Sequence, residues 1–354
     1  MNAFARRDDN GKKRIRTIAA VILPLAVSAL LVWLLLRGLS WQRILGSILS
    51  ASPFGLALYG VLALAGLWFR AVRFRILLSE PKPAAGPVFL TTVVQNALGD
   101  LVPARLASLG SYVWLMKKRL AVAADSAAST FIVSFVLDLV TLGPLLLLAV
   151  AVRFGMAAPP GDTWLSLKWA AGFGLIFFAA SAAAAWWIGP LTRIFARLPR
   201  VMARGRETSG WAKVAAFLER VAASMEIVHR GGALLRLFAV SLLIRLIKYG
   251  SLFALTESLL VETGFAAPHP SPWDLIIGVS ATELVASLPI PAIGQFGVWE
   301  GGMVGVLVMM GFPREQATLV AFGVHGITTA FEYLAALLAF GGLFVLAKKR
   351  RETP

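Results

Sequence analysis

Long apolar stretches restrict what this sequence can fold into more than any other feature. A helix that crosses a bilayer needs about 20 mostly apolar residues, because each residue rises only about 1.5 Å along the axis. Six stretches meet this requirement: residues 18–36, 53–69, 127–152, 169–188, 234–260 and 316–346. We therefore predict an all-α polytopic membrane protein with six full transmembrane helices.

Composition and charge agree with a membrane protein and exclude other classes. Of 354 residues, 58% are hydrophobic and 15% are charged, whereas soluble domains are about half apolar and about a quarter charged. This excludes a disordered chain, a coiled coil and an ordinary cytosolic enzyme. The net charge of +16 comes from basic residues between the apolar stretches, which favours a cytoplasmic membrane surface and not nucleic acid as the partner.

Two further apolar regions are interrupted by helix-breaking residues. Residues 88–116 contain Gly99, Asp100 and Pro103, and residues 273–310 contain Pro289, Pro291, Gly294 and Gly297. Short, Gly/Pro-broken segments at matching places in two halves are typical of discontinuous helices around a central site. We predict that each region forms a re-entrant helical hairpin that enters and leaves on one side of the membrane.

The distribution of lysine and arginine predicts the orientation. With the N-terminus and C-terminus in the cytoplasm, 26 of the 34 basic residues lie inside and five lie outside, as the positive-inside rule requires. On this topology the first hairpin enters from the cytoplasm and the second from outside, so the two are oppositely oriented. The predicted parts are a basic cytoplasmic N-terminus (1–17), a transmembrane domain (18–346) with a cytoplasmic amphipathic segment (193–232), and a basic tail (347–354).

Polar side chains recur at helical spacing within three spans. They form three faces: Ser126, Thr130, Ser134 and Asp138; Ser241, Arg245 and Lys248; and Thr318, His325 and Glu332. Because a charge in mid-bilayer costs at least about 2.5–3.5 kcal/mol, such residues should face a cavity or a partner. We therefore expect these faces and the polar residues of both hairpins to meet in one hydrated or ion-paired centre.

Candidate roles follow from side-chain chemistry. Basic and amide side chains that can donate to a phosphate are the substrate-binding candidates, namely Arg105, Arg245, Lys248, Asn96 and Gln295. Carboxylates that could balance these cations, or carry a coupling proton, are Asp100, Asp138, Glu283, Glu300 and Glu332. The basic residues that end the second span, Arg70, Arg73 and Arg75, are expected to anchor acidic headgroups. We assign no catalytic residue, metal ligand or cofactor.

Two of these residues have plainer alternatives. Arg245 could pair with Asp138, Glu283 or Glu332 as a structural lock. His325, considered alone, is more typical of a packed helix residue than of a proton relay.

Four motifs resemble those of a known family. In order, they are 70–78 (RAVRFRILL, similar to RAxRWxxLL), Asn96 with 103–106 (PARL, similar to N…PxRxGE), Asp138 (the Asp of ERxxD) and 294–301 (GQFGVWEG, similar to GxGxxE). Over roughly residues 15–346 the chain resembles the transmembrane region of lysylphosphatidylglycerol synthases, also called the flippase-like domain family. It departs at Ala107 and Ser108 (family Gly-Glu), Ser111 (Arg), Ser134 and Phe135 (Glu-Arg), and Trp299 (commonly Arg). The resemblance therefore identifies a divergent, stand-alone member.

The resemblance implies a role in moving lipids or lipid-linked intermediates between leaflets. The sequence ends at residues 348–354 without the aminoacyl-transferase domain of those synthases, so we do not expect lysyl transfer from tRNA. The predicted function is binding or translocation of a phospholipid or polyprenyl-phosphate-linked lipid in the bacterial inner membrane, with anionic or phosphate-bearing lipids as partners. Two alternatives remain open at this point: a membrane transferase acting on a lipid phosphate, and a non-catalytic partner of envelope-synthesis enzymes.

Overall fold

The described part of the chain is helical throughout. The computed structural model describes residues 22–37, 41–78, 83–101, 105–156, 214–220, 233–261, 270–286 and 292–352, with positions 172, 175, 176, 179 and 290. The helices are α1 (Ile22–Leu36), α2 (Trp41–Leu49), α3 (Pro53–Leu77), α4 (Ala85–Leu101), α5 (Arg105–Leu120), α6 (Ala124–Met156), α7 (Ala233–Val261), α8 (Pro272–Ala286), α9 (Val298–Met309) and α10 (Arg314–Glu352). A single 3₁₀ turn, Ile293–Gln295, precedes α9. No strand occurs among these residues, so the all-α prediction is confirmed for them.

Four helices are long and apolar enough to cross a membrane: α3, α6, α7 and α10. They coincide with four of the six predicted spans. The first predicted span is described only as α1, an apolar helix shorter than these four, and the predicted span at 169–188 lies outside the described helices. The chain is thus a multi-pass membrane protein, whereas the count of six spans and the orientation stay predictions.

Both interrupted regions form pairs of antiparallel helices, which we call the first hairpin (α4 and α5) and the second hairpin (α8 and α9). In the first, Gly99 approaches Ser108 next to the break, and Val88 clusters with Met116 further from it. In the second, Gly302 lies against Thr282. The predicted helix–break–helix pattern is therefore confirmed, while entry and exit on one side of the membrane remain a prediction.

The break in the second hairpin is shaped by backbone that only a few residue types adopt readily. Gly294 has φ of 56° and Gly297 has φ of 88°. A Cβ on Gly297 would lie 2.3 Å from Cβ of Leu31, so glycine lets α1 pass directly against the break. The N–H of Ile293 donates to Ser28 Oγ at 2.9 Å. Helix α1 therefore holds the second hairpin at its non-helical point.

Apolar packing joins the helices and leaves an apolar outer surface. The largest cluster unites α6, α7, α8, α9 and α10, and includes Leu142, Leu255, Leu275, Leu307 and Val320. Large apolar side chains stay exposed on α3 and α10, among them Phe54, Val61, Leu337 and Phe344. Such an exposed apolar surface is what lipid tails would cover. Of the predicted amphipathic segment at 193–232 only 214–220 is described, as helix, and its Arg220 forms an ion pair with Asp125 at the start of α6.

Candidate functional site

A partly buried ion pair joins α3 to α6. Arg73 donates from Nη1 and Nη2 to the two carboxylate oxygens of Asp138, at 2.6 and 3.1 Å, and also from Nη1 to Ser241 Oγ at 2.9 Å. Its side chain is only 1% exposed. This differs from the headgroup-anchoring role expected for Arg73. The cause is that α3 continues as helix to Leu77, beyond residue 69, and turns this side chain towards α6 and α7.

Arg245 connects α6 to the second hairpin. Its Nη1 donates to Glu283 Oε2 at 2.8 Å, and its Nη2 donates to the main-chain carbonyl of Asp138 at 2.8 Å. Arg245 lies 12 residues into α7, about 18 Å along a helix about 43 Å long, and therefore near its middle. Glu283 is one of the three partners, with Asp138 and Glu332, that the alternative interpretation of Arg245 as a lock proposed.

Lys248 shares the carboxylate of Glu283 with Arg245. Its Nζ donates to Glu283 Oε1 at 2.5 Å. The two cations nevertheless differ in access, because the side chain of Lys248 is 41% exposed and that of Arg245 only 9%. The spacing of three residues does place both on one face of α7, as predicted, and both reach the second hairpin.

Arg70 connects the first hairpin to the region around Asp138 and Arg245. Its Nη1 donates to Asn96 Oδ1 at 2.5 Å, and its guanidinium lies within electrostatic range of Asp138, Arg245 and Glu332. The Nε atoms of Arg70 and Arg73 are buried without a hydrogen-bond partner. We call Arg70, Arg73, Arg245 and Lys248, with Asp138 and Glu283, the cationic cluster.

The remaining candidates lie apart from these contacts or outside the described side chains. Arg75 is exposed and donates from Nε to the carbonyl of Pro83 at 2.9 Å, so headgroup anchoring stays a prediction for it. Gln295 occupies the break of the second hairpin with φ of 59°. The side chains of Asp100 and Arg105 are not among those described.

Glu300 forms a second polar site that the sequence interpretation did not assemble. Its carboxylate is fully buried, and Oε1 lies 2.7 Å from Nδ1 of His325 on α10. Oε2 accepts the N–H of Gly297 at 2.7 Å. The imidazole of His325 stacks on the rings of Phe296 and Trp299, with centroids 4.5 and 5.1 Å away. Glu300 thus pairs with a histidine, whereas Asp138 and Glu283 pair with arginine or lysine.

Comparison with known protein families gives a match over most of the chain. The family described as the lysylphosphatidylglycerol synthase TM region matches residues 21–336. The chain belongs to this family. No curated protein matches the chain. Family membership and the four long apolar helices together make this a membrane protein of lipid-related processes.

Two of the positions at which this lysylphosphatidylglycerol synthase TM-region protein departs from the expected motifs, Ser108 and Ser111, make neutral hydrogen bonds in the structure. Ser108, in place of Glu, accepts a hydrogen bond from Gln95 Nε2 at 2.6 Å. Ser111, in place of Arg, donates to the carbonyl of Ser108 at 3.0 Å. Ser134 is buried. The hydrogen bond between Gln95 and Ser108 therefore joins α4 to α5 at a position where the resemblance would put a charged Glu.

The cationic cluster has the chemistry of an anion site. Four cations face Asp138, Glu283 and the nearby Glu332, so positive charge exceeds negative charge among the described groups. Arginine presents planar N–H donors that match phosphate oxygens, and lysine supplies a mobile point charge. The site can therefore stabilise a phosphate by charge and by hydrogen bonds.

Proposed function

We propose that this protein binds the phosphate of a membrane lipid at the cationic cluster and moves the lipid between leaflets of the bacterial inner membrane. The observation that carries the proposal is the excess of positive charge in the cluster. Each buried charge is costly to keep in a membrane interior unless a partner balances it. An anionic headgroup would complete the balance that Asp138, Glu283 and Glu332 leave open.

Lys248 is the residue that meets the headgroup first. Arg73 and Arg245 are each held by several hydrogen bonds and are almost fully buried. Lys248 makes its contact with Glu283 from a side chain that is 41% exposed. A phosphate that approaches the cluster can therefore compete for the ammonium of Lys248 without dismantling the arginine contacts.

The two hairpins provide the route past the cluster. Asn96 of the first hairpin contacts Arg70, and Glu283 of the second hairpin contacts Arg245 and Lys248. Each hairpin therefore contacts the cluster through one of its helices, α4 in the first hairpin and α8 in the second. With the hairpins entering from opposite membrane faces, movement of either one would open the cluster to one leaflet at a time, as in other proteins with opposed broken helices.

Reconstituted vesicles test this function. The purified protein is placed in liposomes that carry a fluorescent phospholipid in the inner leaflet, and a membrane-impermeant quencher is added outside. Wild-type protein is expected to expose the probe to the quencher faster than empty liposomes do, and the probe is expected to stay chemically unchanged.

Lys248→Gln is the informative variant, and Arg236→Gln on the same helix is its matched control. Arg236 is exposed and lies outside the cluster, so its loss should leave transport near the wild-type rate, whereas Lys248→Gln should slow it strongly. Quenching no faster than in empty liposomes, across several phosphate-bearing lipids, would contradict translocation. A chemically modified probe would instead support a transferase.

A further inference from the structure

The pair formed by Glu300 and His325 is isolated from the cationic cluster in its described contacts. Glu283 and Asp138 each accept from arginine or lysine. Glu300 accepts instead from an imidazole and a backbone N–H. A histidine changes charge near neutral pH, whereas an arginine does not. Glu300 is therefore a buried carboxylate whose described ionisable partner is a histidine and not an arginine or lysine.

The other titratable groups on the helices around the pair are described with contacts to residues other than Glu300 and His325. Helix α1 carries none in its described part, Ile22–Leu36. On α8, Asp274 pairs with Arg153, and Glu283 pairs with Arg245 and Lys248. On α10, Arg314 and Glu315 lie at the N-terminal end, and Glu315 pairs with Arg43. Further along the same helix, Glu332 lies in electrostatic range of Arg70 and Tyr59. Its neighbour Tyr333 lies beside Gly294. Asp100 on α4 has no described side chain.

We propose that the Glu300–His325 pair binds the proton whose movement drives lipid translocation. In the loaded state the imidazolium holds a proton on each ring nitrogen, Nδ1–H donates to ionised Glu300, and the pair is neutral overall. Release of the Nε2 proton to water leaves a neutral imidazole beside the carboxylate. The pair then carries one net negative charge at a carboxylate with no exposed surface.

The position of the pair couples this charge to the shape of the second hairpin. Glu300 lies in the first turn of α9 and accepts the N–H of Gly297, which caps that helix. The N-terminus of a helix stabilises a negative charge at this position. Gly297 in turn lies directly against Leu31 of α1. An uncompensated buried charge is unfavourable, so the proton-free pair favours an arrangement of the hairpin that brings it to water or to cations. Proton binding and hairpin position are therefore linked.

The inference rests on the proposed translocation and deepens it by naming the driving ion. Its test uses the same vesicles with a difference of one pH unit and with the membrane potential clamped by potassium and valinomycin. One proton exchanged per lipid shifts the steady-state ratio of fluorescent phospholipid between leaflets by up to about tenfold per pH unit. We expect this shift for wild-type protein, and no shift for Glu300→Gln or His325→Gln.

Glu315→Gln is the matched control, because Glu315 lies on α10 and pairs with the exposed Arg43. It should follow the gradient as wild-type protein does. Wild-type protein that moves lipid with no response to the gradient would overturn the proton proposal and leave translocation intact. Variants of the pair that follow the gradient normally would overturn it as well.

A second measurement reads the proton site without transport. The chain has three histidines, and ¹⁵N NMR of labelled imidazoles assigns His325 by its absence in His325→Gln. If the pair binds the proton, the imidazole ¹⁵N signals of His325 should respond to the pH of the medium, and Glu300→Gln should change that response. Signals of His325 that do not respond to pH, in folded protein, would overturn the proposal even if no lipid moved.

Discussion

The two hairpins share a shape but differ in the polar contacts that their described side chains make. In the first, the described polar contacts come from neutral groups: Gln95 bonds Ser108, and Asn96 accepts from Arg70. In the second, Glu283 and Glu300 each take part in a buried ionic or ionisable contact. Among the described side chains, the first hairpin thus makes its polar contacts through neutral groups and the second through carboxylates, with Asp100 and Arg105 of the first hairpin outside this comparison.

This difference indicates that the two hairpins have different roles. A neutral buried hydrogen bond contributes about 0.5–1.5 kcal/mol and is independent of pH near neutrality. A buried carboxylate needs a cation or a proton, and its state changes with whichever of these is present. We infer that the first hairpin shapes the route for the lipid, whereas the second carries the electrostatic changes.

The largest expected effect concerns the opposed orientation of the hairpins. The chain has no cysteine, so Lys118→Cys and Arg314→Cys each introduce one reporter at an exposed position, the first in the last turn of the first hairpin and the second just after the second hairpin. An impermeant thiol reagent should label Lys118→Cys only from the cytoplasm and Arg314→Cys only from outside. Labelling of both from the same side would refute the oppositely oriented arrangement.

The next effect compares ionic with neutral contacts. Arg245→Ala removes one of the two cations that Glu283 contacts and should destabilise the protein by about 3–5 kcal/mol. Ser108→Ala removes a neutral hydrogen bond of the first hairpin and should cost about 1 kcal/mol. Thermal unfolding in detergent measures both, and Arg245→Lys, which keeps the charge, should fall between them. Equal losses for Arg245→Ala and Ser108→Ala would remove the energetic distinction between the hairpins.

The smallest effect concerns the glycines at the two breaks. Gly297→Ala places a Cβ against the backbone of α1 at φ of 88°, and strain with overpacking should cost about 2–4 kcal/mol. Gly99→Ala meets side chains only, with Ser108 Oγ at 2.8 Å and Gln95 Nε2 at 3.7 Å, and should cost about 1 kcal/mol. Gly305→Ala in α9 has open space and serves as the control. A Gly297→Ala protein that melts like this control would show that α1 does not hold the break.

Much of the fold followed from the sequence because its signals are local. Span length, the glycines and prolines of the breaks, and the shared face of Arg245 and Lys248 are each set within a few residues. The partner of Arg73 was not predictable in the same way. A hydropathy pattern marks where a span becomes polar, but the rotation of α3 against α6 and α7 depends on packing across the whole bundle.

The pair of Glu300 and His325 shows the same limit. The two residues are 25 positions apart on different helices, and neither helix face alone predicts that they meet. The signal that could have found them is the stripe of Thr318, His325 and Glu332, read together with the GxGxxE motif. Both indicated polar groups that need a buried partner, but neither indicated which one.

The central claim is that a lipid phosphate occupies the cationic cluster, and a photoreactive headgroup tests it most directly. A phospholipid with a diazirine on its headgroup is irradiated with the protein in liposomes, and the labelled peptides are located by mass spectrometry. We expect labelling around Lys248 and Glu283, lost in Lys248→Gln, kept in Arg236→Gln, and missing with a diacylglycerol probe that has no phosphate. Equal labelling by both probes, confined to the exposed apolar faces of α3 and α10, would contradict the claim.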